Sequence, residues 1–154
     1  MNTDAWEFIK SKKSLILSTI DENNLPHISY APFVENENKF YIFASAMAKH
    51  SKTILNSETI SILFIEDEKD CENIFARKRV TFDTKVNHIQ RDTISFRGVI
   101  SLFYEKFGEN AAIYEQLGDF QLFKLTPVSG RAVFGFGQAY NFKDGEFNNK
   151  SVGM

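Results

Sequence analysis

The sequence predicts a mainly β chain with short helices, folded as an antiparallel barrel. Three observations carry that expectation. Six or seven short apolar or alternating runs follow one another, separated by turn signals. The helical patterns between them are few and short, which suits an antiparallel barrel better than a parallel α/β sheet. No internal repeat, low-complexity tract or Pro/Gly-rich linker interrupts the 154 residues, so residues 1–154 are expected to form one domain.

Taken in order, a short helix is expected through Trp6, Ile9 and Lys10. Residues 14–20 follow as a strand whose near-continuous apolar run implies burial. Asp21-Glu22-Asn23-Asn24 is a turn, and 26–34 a second strand. Pro26 and Pro32 bracket it; proline cannot donate to a ladder, so this strand belongs at an edge or carries a bulge. A turn at 35–39 leads to a third strand at 40–44. Ser45 then starts a short helix through Met47, Ser51, Ile54 and Leu55. Residues 57–65 read as a strand apolar on both faces, and therefore covered on both.

A short helix near 68–76 precedes a strand at 77–88. There Val80, Phe82 and Val86 point one way, and Arg79, Thr81, Asp83, Lys85 and Asn87 the other. In 93–107 the stripe Phe96, Val99, Ile100, Phe103 and Phe107 has helical spacing, with Gly108 suited to the C-terminus. A shorter helix follows at 111–117. The last strands are expected at 120–125 and 131–142, joined by a turn at Pro127-Val128-Ser129-Gly130.

Composition narrows the function. Sixteen Phe, five Tyr and one Trp imply either a very aromatic core or a face covered by a partner or a flat ligand. A net charge of −2 speaks against a nucleic-acid binder. The chain shows no secretory h-region and no apolar run long enough for a membrane span, and its lone Cys71 suits a reducing, cytoplasmic setting. Three histidines and one cysteine make a built-in zinc site a poor expectation, and no metal-binding residues are identified.

No spacing suggests nucleophilic catalysis. Gly135-Phe136-Gly137 lacks the third glycine of a dinucleotide fingerprint and reads as a tight bend within a strand. Arg77-Lys78-Arg79 is the densest cation cluster and opens the strand at 77–88; Arg77 and Arg79 share its polar face, so two guanidiniums can converge on one anion while Lys78 cannot. A solvated basic edge explains the same residues. Lys49-His50-Ser51-Lys52 sits near a helix start, which favours anions, although an ordinary surface helix accounts for it equally. Those residues define an aromatic barrel with cations suited to a flat anionic ligand and go no further.

Three segments add a resemblance: Asn24–Val34, written NLPHISYAPFV, FARKRVTFD at 75–83 and FGFGQAY at 134–140. Between about Lys13 and Tyr140 the chain is similar to the heme-utilisation proteins of the HutZ/HugZ type, which have the FMN-binding split barrel shared with pyridoxamine 5′-phosphate oxidase. The resemblance implies a homodimer with heme near the subunit junction, a role in iron acquisition, and, given an electron donor, oxidative opening of the porphyrin. It further implies that Arg79 lies near heme and that His50 belongs to the heme environment. Asp119, from the neighbouring subunit, would hydrogen-bond to the proximal histidine. In that group the axial histidine lies in a C-terminal Gly/His-containing stretch, whereas no histidine follows His88 here. Three readings stay open: a truncated form binding hemin more weakly, ligation by another residue, or heme held without iron coordination. Of the three histidines, His88 is expected to point with the apolar face and be structural.

Two functions are thus expected: a heme-binding protein of iron utilisation, or an FMN-binding oxidoreductase that grips the flavin phosphate with Arg77, Arg79, Lys49 and Lys52. The dimer interface is expected to include apolar residues of 57–65 or of the 93–107 helix.

Overall fold

The computed structural model describes residues 2–45, 54 and 59–148. Strand β1 (Ser14–Ile20) pairs antiparallel with both β2 (Pro26–Asn36) and β4 (Thr59–Ile65). Strand β5 (Arg79–Ile89) follows β4, and β6 (Phe120–Val133) pairs with β5 along its length. Strand β3 (Lys39–Ser45) pairs with β2 on one side and with the first half of β6 on the other. The ring β3-β2-β1-β4-β5-β6 is therefore closed, as the composition of short antiparallel runs predicted. Two further strands, β7 (Ala139–Lys143) and β8 (Glu146–Phe147), extend the sheet from the second half of β6.

Closure follows from how β6 divides its hydrogen bonds. Residues 120–125 pair with β3, and residues 130–133 with β7. The two halves meet at a bulge: Asp83 faces Ser129 while Thr84 faces Pro127, leaving Val128 as the extra residue. Pro127-Val128-Ser129-Gly130 is thus not a turn between two strands but an irregularity inside one strand of 14 residues. The real turn lies later, where Phe134 donates its N–H to the Gln138 carbonyl, and Gly135-Phe136-Gly137 sits in it rather than within a strand. Buried Thr84 stitches the bulge by donating Oγ1–H to the Ile60 carbonyl at 3.0 Å.

The interior is aromatic. Phe33, Phe40, Phe64, Phe82 and Phe123 are fully buried in one cluster with Leu15, Leu17, Ile42, Ile60 and Ile62. Helix α1 (Asn2–Lys10) plugs one end, stacking Trp6 against Phe40 and Phe82 at centroid distances of 5.9 and 5.8 Å. A second cluster lies outside the ring. There helix α2 (Ile94–Phe107) packs Phe96, Val99, Ile100 and Phe103 on Val34, Tyr41, Phe43 and Leu122. Thr93 caps it by accepting the Phe96 N–H, and Gly108 leaves it at φ 68°, a conformation that favours glycine. Helix α3 (Ala112–Gln116) follows a 3₁₀ turn and sets Tyr114 on Phe43 with 4.2 Å between ring centroids.

Several expectations change. The apolar runs of β1 and β4 alternate instead of being covered twice: Leu15, Leu17, Ile60, Ile62 and Phe64 face inward, while Ile16, Leu63 and Ile65 are half-buried outside. The helix expected near 68–76 is two separate 3₁₀ turns. The proline expectation holds: residues 26–32 of β2 pair with β1 alone, so Pro26 and Pro32 lie where the strand has a free edge. The helix through Met47, Ser51, Ile54 and Leu55 falls outside the described residues except at Ile54, which is helical and buried.

Gly130 is the tightest point of the bulge. A Cβ there would overlap the Thr81 carbonyl oxygen and lie 2.7 Å from Phe82 Cδ1. Gly130→Ala should therefore destabilise by about 1–3 kcal/mol, the usual cost of overpacking, read as a lower urea midpoint at unchanged slope. An unchanged midpoint would mean that β5 and β6 part there without cost.

Candidate functional site

Strand alternation and register build an apolar strip on the outside of the barrel, interrupted by Ser18 and Ser61. Tyr30 of β2 lies opposite Ile16 of β1, and Ile16 opposite Leu63 of β4. Ile28 and Ile20 extend the strip, and Ile65 continues it toward β5. Ile28 is 72% exposed and Tyr30 66% exposed, so the sheet leaves large apolar side chains in water here. A contiguous exposed apolar patch marks an interaction surface more often than isolated residues do. Helix α2 covers the opposite side of the ring and leaves this one open.

Cations edge the strip. Arg79, the first residue of β5, is paired with Ile65. Between the end of α1 and the strip lies a cleft of about 460 Å³, lined by Lys12, Lys13, Ile16, Leu63, Ile65 and Asp67. Lys12, Lys13 and the apolar strip were not singled out from sequence. Their proximity depends on which strands are neighbours, which no single segment reveals.

Arg77 is not on the strand. It caps the second 3₁₀ turn, and its Nε donates to the Glu66 carbonyl, which fastens the 66–78 excursion at its base. Arg79 in turn donates Nη1–H to the Arg77 carbonyl at 2.8 Å. The two guanidiniums are consecutive links of one chain and do not share a strand face. The excursion exposes Phe75 at 81% in its second 3₁₀ turn, a second apolar feature that sequence reasoning missed.

Asp119 stands at the far end of β6, where its Oδ2 accepts the Ser45 hydroxyl at 2.9 Å. The turn before it is held by Arg91, whose Nη2 donates to the carbonyls of Tyr114 and Leu117 while its guanidinium lies over Phe96. Arg79 is level with Val133 and Ser45 with Phe120, so the Arg79 and Asp119 sites occupy opposite ends of β6. At 3.3 Å per residue that is roughly 40 Å of strand contour.

Lys49 and His50 lie outside the described residues. His27, opposite Thr19, is half-buried and alternates with Ile28 and Tyr30, so it does not share the strip's face. His88 was expected to be structural, yet it is exposed, with its ring 5.5 Å from that of Phe123. Its alternation is inward, beside the buried Phe123, yet its own ring stays exposed near the end of β5. Among the described residues no three His, Cys, Asp or Glu groups gather as a metal site, and no helix is long and apolar enough to cross a membrane.

An antiparallel ring of six strands, split where β2 leaves β3, with a cation-edged outer face, is the architecture of the split-barrel flavoprotein class. Residues 1–134 match the family described as pyridoxamine 5′-phosphate oxidase, and the chain belongs to that family, within its group of HutZ-type proteins. Heme oxygenase HutZ of Vibrio cholerae is 42% identical over 134 residues, which cover 87% of this chain and 76% of HutZ. The crystal structure of HutZ, titled a heme storage protein, superposes with a TM-score of 0.77 at 38% identity, over 81% of this chain and 88% of that one. ChuZ of Campylobacter jejuni superposes at 0.89 with 32% identity, over 98% of this chain and 61% of ChuZ, so the chain spans about three fifths of that relative.

The Arg91 clamp makes a prediction of its own. Removing a charged donor from two carbonyls should cost about 1.5–3 kcal/mol in Arg91→Ala, and amide exchange at Leu117–Phe120 should quicken. Unchanged exchange there would show that the turn before Asp119 holds itself.

Proposed function

We propose that the chain is a heme-binding protein of heme and iron utilisation, acting as a homodimer that holds heme against the outer apolar strip. One observation carries the reading: exposed Ile28 and Tyr30 and half-buried Ile16, Leu63 and Ile65 form an apolar strip edged by Arg79, Lys12 and Lys13. A porphyrin is a flat apolar plate with two carboxylates on one edge, and such a strip with a cationic border matches both parts. The names of HutZ, heme oxygenase and heme storage protein, support the ligand class.

In this reading Arg79, with Lys12 and Lys13, binds propionates, and Arg77 serves by presenting the carbonyl that orients Arg79. Lys49 and His50 follow β3 within five residues of Ser45 and supply the rest of the cofactor surroundings. Asp119, oriented by Ser45, is the acceptor for the N–H of whichever imidazole ligates heme in the partner's site, and would fix its tautomer. A reduced heme iron supplies the oxygen chemistry that opens a porphyrin ring; the chain's residues bind the plate, orient its edge and keep its face dry.

The dimer follows from the same strip. The α2 alternative for an interface has less support, because its stripe of Phe96, Val99, Ile100 and Phe103 packs on Tyr41, Phe43 and Leu122 of its own chain. The outer residues of β4 remain half-covered, and a second copy would shield them. Such an interface should bury upward of roughly 2,000 Å².

Parallel titrations with hemin and FMN test the ligand, since the same cations would grip a flavin phosphate. Hemin should bind with an intense Soret band, and Arg79→Ala should weaken it by about 1–3 kcal/mol, roughly 5- to 150-fold in Kd. FMN binding without hemin binding would replace the reading with a flavin-dependent oxidoreductase. Hemin affinity indifferent to Arg79→Ala would reduce Arg79 to a solvated edge. A monomer by light scattering at micromolar concentration would remove the dimer.

A further inference from the structure

On the side of the barrel served by α2, a single amine lies in surroundings that few lysines have. Lys106 occupies the last turn of α2 and bends back over β2, where Nζ donates to the Phe33 carbonyl at 2.8 Å. The same nitrogen sits 3.7 Å from the centroid of the Phe33 ring and 5.4 Å from that of Phe107. It lines a cleft of about 320 Å³ whose apolar walls are Phe33, Val34 and Leu102.

The charged groups around this cleft are Lys10 from α1, Glu35 from β2 and Glu105 from α2. Glu35 is engaged elsewhere: one oxygen faces Lys10 Nζ at 3.8 Å, and the other accepts the Asn38 N–H at 2.8 Å. The described ion pairs therefore give Lys106 no carboxylate within 4 Å. A carbonyl oxygen accepts only, so it holds the amine in place while leaving the lone pair of the neutral form open to the cleft.

We propose that Lys106 is a covalent modification site, whose ε-amine condenses with small, neutral, apolar aldehydes that enter the cleft beside Phe33. The neutral amine nitrogen attacks the carbonyl carbon, a C–N bond forms, the carbonyl π pair moves to oxygen, and one N–H proton passes to that oxygen to give the carbinolamine. Its C–O bond then breaks as the nitrogen lone pair forms C=N, and the hydroxyl leaves as water with the remaining N–H proton, giving the imine. No oxidant or reductant is consumed. When protonated, the imine keeps the lysine's positive charge and hence its place over the Phe33 ring. Apolar walls favour an alkyl tail, while Glu35 and Glu105 at the cleft disfavour an anionic one.

Reactivity at neutral pH follows from the burial. Desolvation lowers the amine to about 8 from the usual 10.5, against a smaller opposing pull from Glu35. At pH 7.4 about one fifth of it is neutral, against roughly a thousandth of an ordinary lysine.

The test needs only the intact chain. It is incubated with hexanal and cyanoborohydride at pH 7.4, and each lysine's alkylation is followed by peptide mass spectrometry. Lys106 should be labelled at least about tenfold faster than exposed Lys78 or Lys85, with a rate that climbs to a plateau above pH 8. Glyoxylate, the anionic comparator, should react at Lys106 more slowly than hexanal. Labelling of Lys106 no faster than Lys78 overturns the site, and equal rates for hexanal and glyoxylate overturn its preference for apolar aldehydes. Neither outcome depends on whether heme binds, because the cleft lies on the α2 side of the sheet.

Discussion

The structure depends on one strand serving two partners. β6 pairs with β5 throughout, closes the ring on β3 with its first half, and carries β7 with its second. A strand cannot bond β3 and β7 at the same positions, so it must change partner partway, and the bulge at Val128 is where it does so. Gly130 lets the two backbones approach at that bend, and Thr84 satisfies its own hydroxyl on Ile60 just across it. Were β6 to end at residue 125, the ring could still close, but β7 and β8 would have no edge to join. Phe142 and Phe147 would then leave the aromatic interior, where each packs against both Trp6 and Phe82.

That closure also decides which faces of the sheet need covering. The interior is filled by phenylalanines whose rings meet edge-on or tilted, which answers most of the aromatic excess in the composition. Helix α2 answers part of the rest by burying the outside of β2's second half, β3 and the start of β6. Among the described residues, the outside of β1, β4 and the first half of β2 receives no helix. The sequence offered two explanations for its aromatic content, a full core or a face awaiting a partner. The chain uses the first for most of its phenylalanines, Phe75 and Phe136 excepted, and leaves the second open for a strip made mainly of isoleucine, leucine and one tyrosine.

The parts of this that were legible from sequence are those governed by local period. The 3.6-residue stripe of Phe96, Val99, Ile100 and Phe103 and the alternation of Val80 and Phe82 describe faces that the structure keeps. The length of β6 was not legible, because Pro127-Val128-Ser129-Gly130 satisfies the chemistry of a turn and of a bulge equally well. Only the pairing with β5 distinguishes them. His88 was misjudged because alternation gives a direction and not a depth: it faces Phe123, which is buried, while its own ring is exposed. At the site, Arg79 was recognisable from charge and alternation together. Its neighbours Ile65, Leu63 and Lys13 were not, since they come from other segments and meet it only through register.

The positions of Arg79 and Asp119 bear on how such a site would be assembled. They terminate opposite ends of β6, with the bulge between them, so a plate lying against Arg79 leaves its own chain's Asp119 at the far end of the strand. A two-fold axis changes the count. On the proposed dimer, a two-fold axis passing near the middle of β6 would place the Arg79 end of each copy beside the Asp119 end of the other, and would do so twice. On the proposed reading, the two groups serve one heme only when they come from different subunits. The exposed strip between β2 and β5 is then both the floor of the site and the surface through which the copies meet. Binding and dimerisation would share that surface, and a substitution at Tyr30 or Leu63 would disturb both together.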